Sequence, residues 1–149
     1  MISYETIFSR VRNKIDDPKE LSLDESILNE IYIERLHSTL GNPRVRRLFS
    51  SIVLDDKIQE IEYQLNNSVD EASDDDFVIE LLTIGMTIEW LTPRVDSVLY
   101  TAPMIGGKEE KKILDGHKDM IGRLAAMKLE QKKIIRDYGY MYNSYISEA

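Results

Sequence analysis

The chain has 149 residues, of which 42% are hydrophobic and 31% charged, with a formal net charge of −8 and no cysteine. That length suits about one domain with its own core, and the apolar content is too high for a disordered chain. The missing cysteines exclude disulfides, thiolate nucleophiles and thiolate metal sites, and the net acidity argues against non-specific nucleic-acid binding, which rests on Lys and Arg neutralising phosphates.

The segment Met1 to Glu5 lacks a basic region followed by an apolar core, so no export signal is expected. After Ser3, a suitable cap, Tyr4, Ile7, Phe8, Val11 and Ile15 recur at three- and four-residue steps and predict a first helix that stops at Asp16, Asp17 and Pro18. Ser22 and Glu25 have capping-box spacing, in which each side chain satisfies the other residue's free backbone donor. Ile27, Leu28 and Ile31 follow at helical spacing, so a second helix is expected to about Leu40, with Gly41, Asn42 and Pro43 breaking it. Pro43 can open a short third helix carrying Val45, Leu48 and Phe49.

Between Leu54 and Leu65 two periods compete. Ile58, Ile61 and Leu65 suit a helix, whereas Ile61, Tyr63 and Leu65 alternate as in a strand, so a short β element near 58–65 stands beside the helical reading. The polar, acidic stretch from Asn66 to Asp76 reads as a loop, with Ser73 or Asp74 capping the next helix. Phe77, Leu81, Ile84, Ile88, Leu91, Val95 and Val98 then repeat with four-three spacing, the clearest helical stripe in the chain. A second apolar line, Ile79, Leu82, Met86 and Trp90, falls on nearly the opposite side, and a helix apolar on two faces must be covered on two faces.

The stretch Phe77 to Leu91 is shorter than the ~20 residues a bilayer crossing needs and contains Glu80 and Glu89, so no membrane span is expected. Pro93 predicts a kink or break near Glu89 to Thr92, and Ala102, Pro103, Gly106 and Gly107 predict a loop. From Lys108 a long amphipathic helix is expected, with Ile113, Leu114, Met120, Ile121, Leu124, Met127, Ile134 and Ile135 on its buried side, ending near Gly139. The fold class is therefore all-α: a helical bundle over 1–137 with a long C-terminal helix, then a Tyr-rich arm over 138–149.

No spacing of residues guarantees a catalytic pair. His37 falls near the end of the second helix, where the helix dipole favours it, and His117 lies on the buried stripe of the last helix as a core histidine. Neither suggests a metal or cofactor site, and no enzyme is expected. Charge is unevenly spread: residues 55–80 hold ten acids against Lys57 alone, while 108–149 hold seven acids against nine bases. Asp74, Asp75 and Asp76 lack the alternating ligands and central glycine of a calcium loop and suit a helix start instead. Arg44, Arg46 and Arg47 form a local basic patch, solvated or paired with the acidic segment. Tyr138, Tyr140, Tyr142 and Tyr145 crowd the terminus, where aromatic enrichment serves either docking on a partner or packing onto the chain's own core.

The stretches Leu48 to Asp56, Ser73 to Leu82, Glu89 to Val95, Ile105 to Lys112 and Arg136 to Ile146 resemble head-to-tail connector (adaptor) proteins of tailed bacteriophages and prophages of Gram-positive bacteria. The resemblance covers about the last two-thirds of the chain. It implies a small helical, non-catalytic virion protein of the phage neck, assembled in the host cytoplasm into a homo-oligomeric, dodecameric ring. Such a ring binds the portal protein and the next neck or tail-completion protein, and DNA passes nearby without sequence-specific binding. On that resemblance Ile79, Leu82, Met86 and Trp90 would face a neighbouring subunit, Tyr138, Tyr140, Tyr142 and Tyr145 would form the portal-docking arm, and Asp74, Asp75, Asp76, Arg44, Arg46 and Arg47 would line the channel or pair between subunits. The competing expectation is a cytosolic helical regulatory or adaptor protein that binds a single protein partner.

Overall fold

A computed structural model describes residues 1–15 and 17–140, the side chains at 99–101, 139 and 140 excepted. A two-residue strand, β1 (Ile2–Ser3), leads into α1 (Tyr4–Lys14), where the Ser3 hydroxyl accepts the Thr6 N–H and Tyr4, Ile7, Phe8 and Val11 are buried. A single turn, α2 (Pro18–Leu21), starts on the pre-set φ of Pro18 and is capped by the Asp17 carboxylate. The long α3 (Glu25–Gly41) buries Tyr32, Leu36, Thr39 and Leu40, and α4 (Pro43–Arg46) follows at the expected proline.

The capping box at Ser22 is not used. Ser22 closes α2 and donates its hydroxyl to the Lys19 carbonyl at 2.7 Å, so α3 begins at Asp24 without a side-chain cap. Ile27, expected on the buried stripe, is 48% exposed. The insertion of α2 absorbs the residues that would otherwise have opened the helix.

The ambiguity at 54–65 resolves to sheet. Strands β2 (Phe49–Asp55) and β3 (Glu60–Leu65) form a hairpin, and β1 adds on the other side in the order β1-β3-β2, antiparallel throughout. Ile61 pairs with both Ile2 and Leu54 and is fully buried, whereas Ile58 lies in the turn, 63% exposed. Helical periodicity lost because burying Ile61, and Leu65 behind it, needs only every second or fourth residue, which a strand also supplies. The β2 strand itself was not expected, although Ser50-Ser-Ile-Val53 is enriched in residues that suit a pleated surface.

The central element is α5 (Glu71–Ile105), which packs against α1, α3 and the antiparallel α6 (Gly107–Ile134). It starts earlier than expected because Asp70 caps it, accepting the Ser73 N–H at 2.7 Å. It runs unbroken through Pro93, near which a kink or break was expected. The turn loosened by the missing N–H is held by side chains: Thr92 donates to the Ile88 carbonyl at 2.8 Å and Arg94 to the Trp90 carbonyl at 2.7 Å. The expected loop from Ala102 shrinks to Gly106, which with Gly107 at the start of α6 has positive φ, 72 and 67, and reverses the chain in one step. At the far end α6 continues as a π-helical turn, Ile135–Tyr140.

One contiguous cluster of buried side chains runs from Ile2 to Ile135. At the crossing of α3 and α5, Gly85 lies against Thr39 so closely that a Cβ at 85 would stand 2.2 Å from the threonine methyl. The mainly helical fold with a short β element near 58–65 is therefore as expected.

Candidate interaction surfaces

The second apolar line of α5 is covered by its own chain. Ile79 is 8%, Leu82 0%, Met86 0% and Trp90 3% exposed, so none is offered to a neighbouring subunit, contrary to the expectation. The error lay in assuming that one chain of this size could cover only one face of the helix. With α1, α3 and α6 all packed against it, α5 is enclosed from Phe77 to Ile88 except at Glu80.

Trp90 closes this core with polar groups that are far apart in sequence. Its indole Nε1 donates to Asp17 at 3.4 Å, and the guanidinium groups of Arg94 and Arg123 lie 4.7 and 5.5 Å from its ring centre. Arg94 also pairs with Asp17 and, at 3.0 Å, with Glu20, and Glu20 takes a two-pronged contact from Arg35. Burial pushes the Glu20 and Asp17 carboxyls up, but the arginines beside them outweigh it and hold both below the usual carboxylate range. Arg123 then ties α6 to the end of α1 by donating to the Lys14 carbonyl at 2.9 Å. These contacts fasten α1, α2, α3, α5 and α6 together. Nothing in the periodicity pointed to them, because polar partners separated by 70 residues or more leave no local pattern.

The acidic triplet separates into three environments. Asp74 is buried at 6% exposure and accepts the Val69 N–H at 3.0 Å and the hydroxyls of Ser68 and Tyr138. Burial raises its pKa, and these donors more than reverse that, leaving it below the ordinary aspartate value. Asp75 accepts the Tyr63 hydroxyl, while Asp76 is exposed. Only Asp76 of the three thus presents an open carboxylate for a channel wall or a neighbouring subunit.

Arg44, Arg46 and Arg47 are exposed, and Arg46 donates to the Phe49 carbonyl at 3.1 Å. Tyr138, read either as the start of a docking arm or as packing onto the chain's own core, does the latter: its ring stacks on Phe77 with centres 4.2 Å apart and planes 8° from parallel. The Tyr140 side chain, Tyr142 and Tyr145 lie outside the described residues.

His117 is the packed core histidine expected, 5% exposed with its Nε2 2.8 Å from the Val95 carbonyl, to which it donates. His37 meets Asp56 at 2.9 Å rather than the helix end, and Asp56 also accepts the Tyr4 hydroxyl. That hydroxyl, followed by the histidine, keeps the Asp56 carboxyl below its ordinary value. Among the described residues no cluster of His, Asp and Glu has the geometry to hold a metal ion, and no helix is long and apolar enough to cross a membrane. A cleft of about 440 Å³ between α1 and α3 has the Glu5–Arg12 ion pair on its α1 wall and Glu25 on its α3 wall.

The outer surface of α6 is different. Leu114 is 36%, Ile121 46% and Leu129 69% exposed, and with exposed Ala125 they fall within an arc of about 80° on one side of the helix. Leu114 and Ile121 were expected inside. The buried side instead centres on His117, Leu124 and Ile135, about 50–70° away from them, with Ile113, Met120, Met127 and Ile134 half-buried beside it. At the hairpin tip Met104 is 86% and Ile105 52% exposed.

No family model matches the sequence, and no curated protein or solved structure is significantly similar to it.

Proposed function

We propose that this chain is a non-catalytic structural subunit that assembles with copies of itself, of the head-to-tail connector kind, in the neck of a tailed phage. The observation that carries the reading is the outer line of α6. Leu114, Ile121 and Leu129 are apolar, exposed and aligned on a helix with α5 as its principal helical neighbour. A neighbouring copy would gain by covering them, and the exposed Lys118 and Lys132, which share that side of the helix, would rim the contact. Support also comes from the resemblance of the stretches 48–56, 73–82, 89–95, 105–112 and 136–146 to such connectors. The interface assigned to Ile79, Leu82, Met86 and Trp90 thereby moves from α5 to α6.

In this reading the Trp90 cluster keeps the body rigid while the α5–α6 hairpin presents the contact, with the portal and the next neck protein as the other partners. The test is co-assembly with purified portal protein, followed by imaging of the particles. Rings that form with portal, and fail to form when Leu129→Glu places a charge on the α6 line, are the expected result. Absence of any joint particle over a range of salt would sink the proposal.

A further inference from the structure

We infer that the outer edge of the sheet is a second, separate interface, at which β2 pairs antiparallel with β2 of another copy to give a two-fold dimer of the free subunit. Among the described strands β2 pairs with β3 alone, so its other edge has no strand partner. An edge of this kind is normally blunted by lysine, proline, inward-pointing charge or a strong bulge, because unpaired backbone groups recruit other strands. From Phe49 to Leu54 the strand carries no charge and no proline. Its one irregularity, between Phe49 and Ser51, lies at the start, and Ser51 to Asp55 then pair with β3 in unbroken register. On the solvent face of that stretch Val53 is 59% exposed.

The charges that flank the strand choose the partner and its direction. Arg44, Arg46 and Arg47 precede β2, whereas Asp55 closes it and Asp56, which also holds His37 and the Tyr4 hydroxyl, follows; all five are exposed. In an antiparallel pair with the dyad between Ser51 and Val53, the arginine end of each copy approaches the aspartate end of the other. A parallel pair would set arginine against arginine and aspartate against aspartate, which costs free energy at short range. Lys57 stands beyond the strand in the turn. A second copy therefore supplies both the extended edge and the matching charge. Because this contact is isologous it closes after two copies, and it cannot be the head-to-tail contact that builds a ring.

Sedimentation of the full chain from about 5 to 500 μM, a span suited to a small, transient interface, tests this. A reversible dimer is expected, weakening as added salt screens the flanking charges. Val53→Lys, which sets two ammonium groups diagonally across the dyad within reach of each other, is expected to raise the dissociation constant at least about ten-fold. Its circular dichroism and melting temperature should stay unchanged, since the side chain points to solvent. Ser51→Lys is the second variant, for use if Val53→Lys alters the fold, and Leu129→Glu on α6 should leave the dimer intact. A chain that stays monomeric throughout, or a dimer indifferent to both lysine variants, overturns the inference. A dimer lost only in Leu129→Glu does so too, while leaving the α6 interface standing.

Discussion

The two long helices of the hairpin are both rich in apolar residues, yet they use them in opposite ways. From Phe77 to Ile88, α5 is buried on nearly every side, with α1, α3 and α6 all packed against it. By contrast α6 rests chiefly on α5, and Leu114, Ile121 and Leu129 remain in water. An apolar stripe therefore says that a face can be buried, not that this chain buries it. Which stripe is left over depends on how many neighbours each helix acquires.

The largest effect that would break this contrast is expected at Trp90. Replacing it with alanine removes a buried ring and two cation–π contacts, at a cost of about 3–5 kcal/mol, or roughly 10 °C in melting temperature. A melt within a degree or two of the parent would show that Trp90 is not part of the core. Next comes Gly85→Ala. The new methyl would meet the Thr39 side chain, which is held in place by its hydrogen bond to the Arg35 carbonyl at 2.9 Å, so a loss of about 1–3 kcal/mol in urea unfolding is expected. A stabilised variant would mean that α3 and α5 separate more easily than their packing implies.

Asp74→Asn probes the junction between the start of α5 and Tyr138. The carboxyl is held below its ordinary value in the folded chain, so its contribution is present above the unfolded pKa near about 4 and is lost as pH falls through the folded value. The variant should be weaker than the parent by about 1–2 kcal/mol at neutral pH, and the gap should narrow as pH falls through the folded value. A constant gap across thermal melts from neutral to acid would rule out this titration as the cause. The smallest effect belongs to the exposed line: Leu129→Glu should change the stability of the isolated chain by no more than about 0.5 kcal/mol while removing assembly. If both fall together, α6 carries folding rather than contact.

The legible parts of the fold were those with local causes. Ser3 and Pro43 start helices where the sequence suggested, because a cap or a fixed φ acts within one turn. His117 was readable as a core residue from its place on a stripe, and the strand at 60–65 was one of two open readings. Asp74, Asp75 and Tyr138 were singled out, but as charges and an arm rather than as partners of Ser68, Tyr63 and Phe77. Arg94, Glu20, Arg35 and Arg123, which gather around Trp90 or one another, were not singled out at all. Their association costs loop closure and desolvation, which only the assembled core repays.

Sequence alone determined the helical class, the starts of α1 and α4 and the charge asymmetry, since periodicity, caps and composition act over a few residues at a time. The tertiary structure decided that α5 passes through Pro93 without a break, that Leu82 and Met86 lie inside, and that Leu129 lies outside. Those outcomes depend on which surfaces meet, and burial is a property of the pair of surfaces rather than of either stretch of chain.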